Sequence, residues 1–597
     1  MNARMQASLI LWVSALVTAL GASFAVAEPQ TVEEVMDGIV TRLYAEHDEA
    51  FLSKIDATSV QSIVTPEEQK ILATKHWVFD VDAPAVITLL RDSAQEEIPF
   101  WLPDSGFVKT DRRATNTEDW SYEIWQKNVP PGRVELGVNG FKNHRPHYLI
   151  AVGPQAPGGK VNISNLNPEF PRVELRPGAY AYNDWPDLLW KDVPETIKGQ
   201  TLLTTIRGRS RDAHLIDAFR HTDHPSSPAP DQIVLTWSED PRTTQTIQWR
   251  TDIKQGKGAV RFAEKGSTEQ KTLDVTPVRL EDRMLANDRY EHHYTGVLRG
   301  LKPGTTYAYS VGNPDSGTWS DSAEFTTGPD KANQPFTFLW SGDAHNKKDW
   351  GELMAHAVEK NPEAVFYTTA GDLVGMGQYR DHWDNYLYGL RSMSNRVRIM
   401  PVLGNHDSID GLGPDQYLNL FELPKNGAAG VTPERCYAFE YGNTLMVSLD
   451  CTTDLAPQAK WLEDVLKKTK ATWKFASYHF PNFEPEYDQD AAEITKQWSS
   501  LFDQYHVDMV FQGHVHYYMR TKPIKNGKPV DSPADGTIYV ISIGIEDRDR
   551  PRSTPEFAVK AFGGVGLYQT MHIEGNRLTF RALDKNDKIH DELIIQK

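Results

Sequence analysis

The pattern of apolar and polar positions changes character three times along the chain. From Thr31 to about Thr74, apolar residues recur at three- and four-residue spacing behind acidic starts, as at Val35, Ile39 and Leu43, which predicts helices. From Lys75 to about Arg220 the apolar runs become short and strand-like, for example Trp77-Val78-Phe79 and Tyr148-Leu149-Ile150-Ala151-Val152, and Pro and Gly punctuate them. His224-Pro225-Ser226-Ser227-Pro228-Ala229-Pro230 has linker composition and marks a domain boundary. Beyond it, to about Thr327, runs such as Ile233-Val234-Leu235-Thr236-Trp237 and Thr306-Tyr307-Ala308-Tyr309-Ser310-Val311 alternate at period two. They predict a β-sandwich of about 100 residues. From Gln334 onward apolar strands alternate with helical stretches at Trp350 to Glu359, Ala456 to Lys468 and Ala492 to Tyr505, before β-type runs return from Leu567 to Ile595. That rhythm predicts a layered α/β domain with mixed sheets.

The first 27 residues read as a secretory leader: Arg4 in a short basic region, an apolar stretch from Leu9 to Leu20, and Ala25-Val26-Ala27 before Glu28. The apolar run is short for a membrane span of ~20 residues, so removal of the leader leaves no transmembrane anchor. An exported protein, periplasmic or extracellular, is expected. The predicted organisation is a multidomain chain: signal peptide 1–27, an N-terminal α+β region 28–222 of unread function, a β-sandwich 223–330 and an α/β domain 331–597.

A chain of 597 residues exceeds what one hydrophobic core supports. The net charge is −18, and −19 once the leader with its single Arg4 is gone, which excludes a nucleic-acid scaffold of the usual basic kind. Bulk charge of this sign also repels phosphate, so a phosphorylated substrate would need local positive charge, such as metal ions. The only cysteines, Cys436 and Cys451, flank a hairpin around Gly442-Asn443. Pairing across that turn sets Cys436 opposite Leu449 and leaves Cys451 diagonally offset, a poor geometry for a bridge. The run His144-Arg145-Pro146-His147 has no further ligand candidate at a matching spacing and reads as surface histidines near a turn.

The chemistry concentrates in the last domain, where an apolar strand ends five times in a short loop bearing Asp, Asn or His. Phe336 to Ser341 leads into Gly342-Asp343-Ala344-His345, Ala364 to Ala370 into Gly371-Asp372, and Arg398 to Leu403 into Gly404-Asn405-His406-Asp407. Trp473 to Tyr478 leads into His479, and Val507 to Gln512 into Gly513-His514-Val515-His516. Loops at the carboxyl ends of strands form the ligand crevice of open α/β sheets, so the five can converge, and their glycines are expected to let the backbone turn sharply. Carboxylates with imidazoles suit divalent metals and iron, and their number exceeds the needs of one ion, which implies two. Singly, each loop reads as an ordinary turn or a buried core histidine; five in this order do not.

In that order the loops resemble the calcineurin-like metallophosphoesterases, over about residues 335 to 597. Gly300-Leu301-Lys302-Pro303-Gly304-Thr305-Thr306-Tyr307, closed by Phe325-Thr326-Thr327, is similar to a fibronectin type III module. With Tyr478-His479-Phe480-Pro481 it narrows the resemblance to the purple acid phosphatase-like branch. The resemblance implies that Asp343, His345 and His516 hold one metal and Asn405, His479 and His514 the second, with Asp372 bridging. It further implies attack on phosphorus by metal-activated hydroxide, His406 beside the phosphoryl group, and Asp407 orienting its ring. The purple enzymes carry Gly-Asp-x-x-Tyr, whereas Gly371-Asp372-Leu373-Val374-Gly375 lacks the tyrosine and His345 supplies a compensating donor. Two divalent ions (Zn, Mn or Fe) are therefore expected rather than tyrosinate-bound Fe(III). Three readings stay open: a phosphomonoesterase acting on small phosphoester substrates, a phosphodiesterase or nucleotidase of the same chemistry, and a surface-binding protein with a vestigial metal site. The complete ligand set argues against the third.

Overall fold

The structure, a computed structural model, describes residues 30–484, 491–547, 551 and 553–597. The leader reading, 1–27, lies outside the described residues. Among the described residues no helix is long and apolar enough to cross a membrane.

The helical start forms as its spacing predicts. Helix Val32–Glu46 opens on a capping box in which Thr31 accepts from the Glu34 amide and Glu34 returns a bond to Thr31, satisfying two of the donors that a helix start leaves orphaned. Its buried face is Val32, Val35, Met36, Ile39, Val40 and Leu43. Thr65 and Glu68 repeat the device at helix Pro66–Thr74. The β-rich remainder of the N-terminal region builds a three-stranded and an eight-stranded antiparallel sheet. Trp77, Phe79, Ile87, Leu89 and Trp101 are buried together in its core. His147 departs from the surface reading. It is 1% exposed, and its Nε2 lies 2.7 Å from His76 Nε2. Burial drives the basicity of both rings well down, so they sit in the core as neutral imidazoles. His144 is partly buried, and Arg145 reaches out of the region altogether, as described below.

The sandwich forms around Leu235, Ile247, Trp249, Tyr294, Tyr309 and Phe325, with Trp249 stacked on Tyr294 at 4.9 Å. It shares a sheet with the domain that follows. Its strand Asp231–Thr236 pairs in parallel with Arg398–Met400 through Leu235 and Arg398, so one ten-stranded sheet runs from the sandwich into the α/β domain. Trp237, at the end of that strand, is fully buried among Phe366, Phe439 and Tyr441, at ring separations of 5.3–5.9 Å. The Arg250 guanidinium, also fully buried, ties Asp231 and Glu291 of the sandwich to Asp384 of helix Arg380–Leu390. The apparent linker is held too, because Ser226 bonds Asp288 and the His224 carbonyl accepts from Arg250.

The α/β domain is two facing sheets with helices outside. In the first, Phe336–Ser341, Ala364–Thr369 and Arg398–Met400 run parallel, and Tyr568–Glu574, Arg577–Leu583 and Ile589–Gln596 continue it antiparallel. The second places Thr444–Ser448, Trp473–Ser477, Met509–Gln512 and Ile538–Ile541 in parallel. Aromatic rings fill the space between: Trp340 stacks on Phe511 at 4.6 Å, and Phe338 meets Phe475 edge-on at 5.6 Å. Because the parallel strands share a direction, their carboxyl ends emerge along one rim. Cys436 and Cys451 form no disulfide; the Cys436 thiol accepts from the Ala428 amide and Cys451 from that of Phe480.

Candidate metal centre

All five strand-end loops meet at that rim. Their carboxylate and imidazole atoms fall into three groups, each with its atoms within 4.8 Å of one another: Asp343, His345 and His516; His345, Asp372 and His406; and Asp372, His479 and His514. Asn405 joins the last, with Oδ1 at 3.0 Å from His479 Nε2 and 3.1 Å from His514 Nδ1. On the other side His345 Nε2 stands 3.2 Å from His516 Nε2 and 3.9 Å from Asp343 Oδ1. Asp372 Oδ2 lies between the two sets, 3.7 Å from His345 Nε2 and 3.2 Å from His479 Nε2. Ligands bonded to a divalent ion at ~2.0–2.2 Å stand roughly 3.0–3.6 Å apart along the edges of the coordination shell. Most of these spacings fall in or just beyond that range, so the donor set fits two ions sharing one carboxylate oxygen.

The backbone is bent to achieve this. Asp343, His345, Asp372 and His514 all adopt left-handed conformations, with φ of 48°, 45°, 51° and 71°. Asp, Asn and His tolerate that region better than most residues, at a cost of about 1 kcal/mol or more each. Gly371, with φ of 91°, supplies the sharp turn the sequence leads one to expect, but two other loop glycines act differently. Gly404 and Gly513 do not have positive φ; a Cβ there would collide with the carboxylates of Asp372 and Asp343 respectively, so the requirement is close approach.

Hydrogen bonds fix which ring nitrogen faces the centre. His479 Nδ1 is 2.7 Å from the Ala370 carbonyl, which can only accept, so Nδ1 carries a proton and Nε2 is the nitrogen turned to the centre. His516 Nδ1 lies 2.9 Å from Asp547 Oδ2 in the same manner. Burial pushes His345 and His514 down to about 3, leaving neutral imidazoles, the state that ligates metals. Burial likewise pushes Asp343 up to about 7, whereas at Asp372 the surrounding histidines, His479 foremost, outweigh burial and hold the carboxylate ionised. Burial would lower His479, but Asp372 and Asp343 prevail and raise it to about 9. Two carboxylates buried this closely are costly unless cations compensate them.

Two features correct the expectations. The Asp407 carboxylate does not take the hydrogen bond of the His406 ring. Its carboxylate, fully buried, accepts from the amides of Val374 at 3.1 Å and Gly404 at 2.8 Å, and so locks the second strand-end loop to the third. The His406 ring is held instead by the Gly375 carbonyl, 2.9 Å from Nδ1, which turns Nε2 away from that bond. Asp547 was missed: it lies six residues past the strand Ile538–Ile541 and three past Gly544, a longer spacing than at Gly342-Asp343 or Gly371-Asp372, and the strand Thr444–Ser448 ends in Asp450 by the same pattern. Tyr379, the next tyrosine after the position where purple enzymes place theirs, is turned toward the N-terminal region. The Arg220 guanidinium lies 3.9 Å from its ring centroid, and its hydroxyl is 3.4 Å from Arg211.

With this geometry in place, the comparisons with known proteins agree. Residues 336–518 match the family model of the calcineurin-like phosphoesterases, and residues 230–327 that of the purple acid phosphatase N-terminal domain. The chain is a purple acid phosphatase-like metallophosphoesterase. Among curated relatives, Fe(3+)-Zn(2+) purple acid phosphatase 12 of Arabidopsis thaliana is 26% identical over 338 residues, which is 52% of this chain and 68% of that protein. Purple acid phosphatase 23 of the same plant is 27% identical over 272 residues, 39% of this chain and 58% of that protein, less than two thirds of its length. Among solved structures, the purple acid phosphatase PPD1 from yellow lupin seeds shares the fold at 14% identity, with a TM-score of 0.54 over 88% of this chain and 94% of that one. Residues 30–229 precede both matched segments, yet some of them, Arg145, Trp185 and Arg207 included, line the cleft that Asn405 and His514 also line.

Proposed function

We propose that the protein is an exported phosphomonoesterase using two divalent ions of the Zn, Mn or Fe(II) type. Asp343, His345 and His516 would hold one ion, Asn405, His479 and His514 the other, and Asp372 both. The observation that carries this reading is the position of Asp372 Oδ2 between two imidazole sets at 3.7 and 3.2 Å. Bound there, two divalent ions supply Lewis acidity and lower the pKa of water, the chemistry of in-line displacement at phosphorus. The chain's own groups do the rest. His479 and His516 are kept in their ligating tautomers by the Ala370 carbonyl and Asp547. His406, anchored through Nδ1, offers Nε2 to stabilise charge on the phosphoryl group or to protonate the leaving oxygen. Export is supported by the leader pattern of residues 1–27.

The test is a chelated and reconstituted sample assayed on a chromogenic monoester and the matching diester. Activity is expected to vanish with chelator, return with Zn, Mn or Fe(II), and favour the monoester. A preference for the diester would replace the reading with a phosphodiesterase, and failure to turn over either ester with both ions bound would sink it. His406→Ala is expected to lower turnover by ~10² to 10⁴-fold while two ions remain bound by metal analysis. Loss of an ion would make His406 a ligand, a role its grouping with His345 and Asp372 makes worth checking.

A further inference from the structure

A cleft of about 530 Å³ opens from the metal centre, and Asn405 and His514 are among its lining residues. Its far wall belongs to the N-terminal region: Arg145, Trp185 and Arg207, with Asp187 alongside. The wall is docked tightly. The Asp410 carboxylate, fully buried beside the third strand-end loop, receives Arg145 Nε at 2.8 Å and Arg211, and Arg207 lies 3.6 Å away. A Cβ at Gly208 would overlap Leu412 and the Asp410 carbonyl, so the two backbones are in near contact.

We infer that this wall is the leaving-group site, and that it selects phosphomonoesters whose leaving group is an aromatic or heteroaromatic ring carrying an anionic or acceptor substituent. The inference rests on the phosphoesterase reading above. A phosphoryl group at the metals occupies a small part of a cleft of this size, which falls in the range of pockets that enclose whole organic ligands. Trp185 is half-buried at the wall and held rigid, with Trp120 edge-on at 5.9 Å and the Arg207 guanidinium 4.7 Å from its ring centroid. Arg207 is itself fixed by Asp184, which accepts from its amide at 2.9 Å and from its Nε at 2.6 Å. A rigid indole beside a reaction centre provides a flat stacking surface at little entropic cost. Arg145 uses only Nε on Asp410; its side chain is 44% exposed, and its two terminal nitrogens take no acceptor among the described residues. They form a planar fork suited to a carboxylate or other acceptor on the ring. Three arginines bind Asp184 and Asp410, and Asp187 brings the nearby carboxylates to three as well, so the feature that would engage an anionic substituent is the open Arg145 fork and not a net charge on the wall.

The experiment uses the full-length metallated protein with three substrates: phenyl phosphate, 2-carboxyphenyl phosphate and glycerol phosphate. In Trp185→Ala the ratio of kcat/KM for phenyl over glycerol phosphate is expected to fall about tenfold or more, chiefly through KM, and Trp185→Phe is expected to recover part of it. A ratio that stays constant, or falls in Trp185→Phe as far as in Trp185→Ala, overturns the inference. With Asp410 keeping its bond to Arg211, Arg145→Gln gives a second variant independent of the tryptophan. It is expected to lower kcat/KM for the carboxylated ester at least several-fold relative to phenyl phosphate, and an unchanged ratio counts against the site. Wild-type protein that hydrolyses none of the three would overturn the phosphoesterase reading and this inference with it, whereas hydrolysis with unaltered ratios in the variants overturns this inference alone.

Discussion

Asp372→Asn is expected to lower turnover by more than ~10²-fold and to release at least one ion. Mutation of a group that merely orients a ligand typically costs ~10–100-fold in metal affinity or activity. Asp372 is placed closer to the chemistry than that. Its Oδ2 faces both imidazole sets, and its Oδ1 accepts the His406 amide at 2.9 Å. The amide of asparagine can preserve the second contact, but it removes the negative charge that two cations would share. Metal analysis alongside the phosphatase assay decides the matter: near-normal turnover with two ions bound would exclude the bridging role.

Cutting the chain before Pro335 is expected to yield insoluble or unfolded protein, even though the fragment keeps every candidate ligand. The cut removes the strand Asp231–Thr236 and leaves Arg398–Met400 as an exposed edge with unpaired amides and carbonyls. It also takes Trp237 out of the aromatic cluster of the α/β core and Arg250 from beside Asp384. The point variants isolate these terms. Trp237→Ala should destabilise the full chain by ~3–5 kcal/mol through the cavity it leaves. Arg250→Met should cost ~1.5–3 kcal/mol, since it removes charge-assisted bonds while Arg380 still faces both Asp384 and Glu291, and Thr222 and Gln232 still bond Asp384. Denaturant melts of the two variants measure both quantities, and a soluble fragment with its own cooperative transition would show that the α/β domain is independent.

The candidate metal centre was legible because its signal is local: an apolar strand and then, after a glycine in four of the five loops, a metal-binding side chain within one to three residues. Helix and strand content was legible for the same reason, since periodicity and capping boxes such as Thr31 with Glu34 are contained in one segment. What escaped depends on contacts between distant segments. Arg145 meets Asp410 across 265 residues, and His147 is buried by His76 across 71, so neither partner could be paired by spacing. The Asp407 carboxylate is spent on backbone amides of Val374 and Gly404, which carry no side-chain signature. The same limit applies to the ten-stranded sheet. Its join at Leu235 and Arg398 is a main-chain pairing, and a proline-rich segment upstream of it reads as a flexible tether.

The left-handed turns at Asp343, Asp372 and His514 bear on how the enzyme acquires its ions. Their amides and carbonyls are already committed to the fold: Asp343 donates to the Gly371 carbonyl, the Asp372 carbonyl accepts from His345, and the His514 amide reaches both oxygens of Asp343. The loops thus take up their shape as the chain folds, and their strain is met by the folding energy of the domain. Loading is then expected to fill a preformed receptacle, with a speed that follows ion dehydration and passage through the cleft and is insensitive to loop closure.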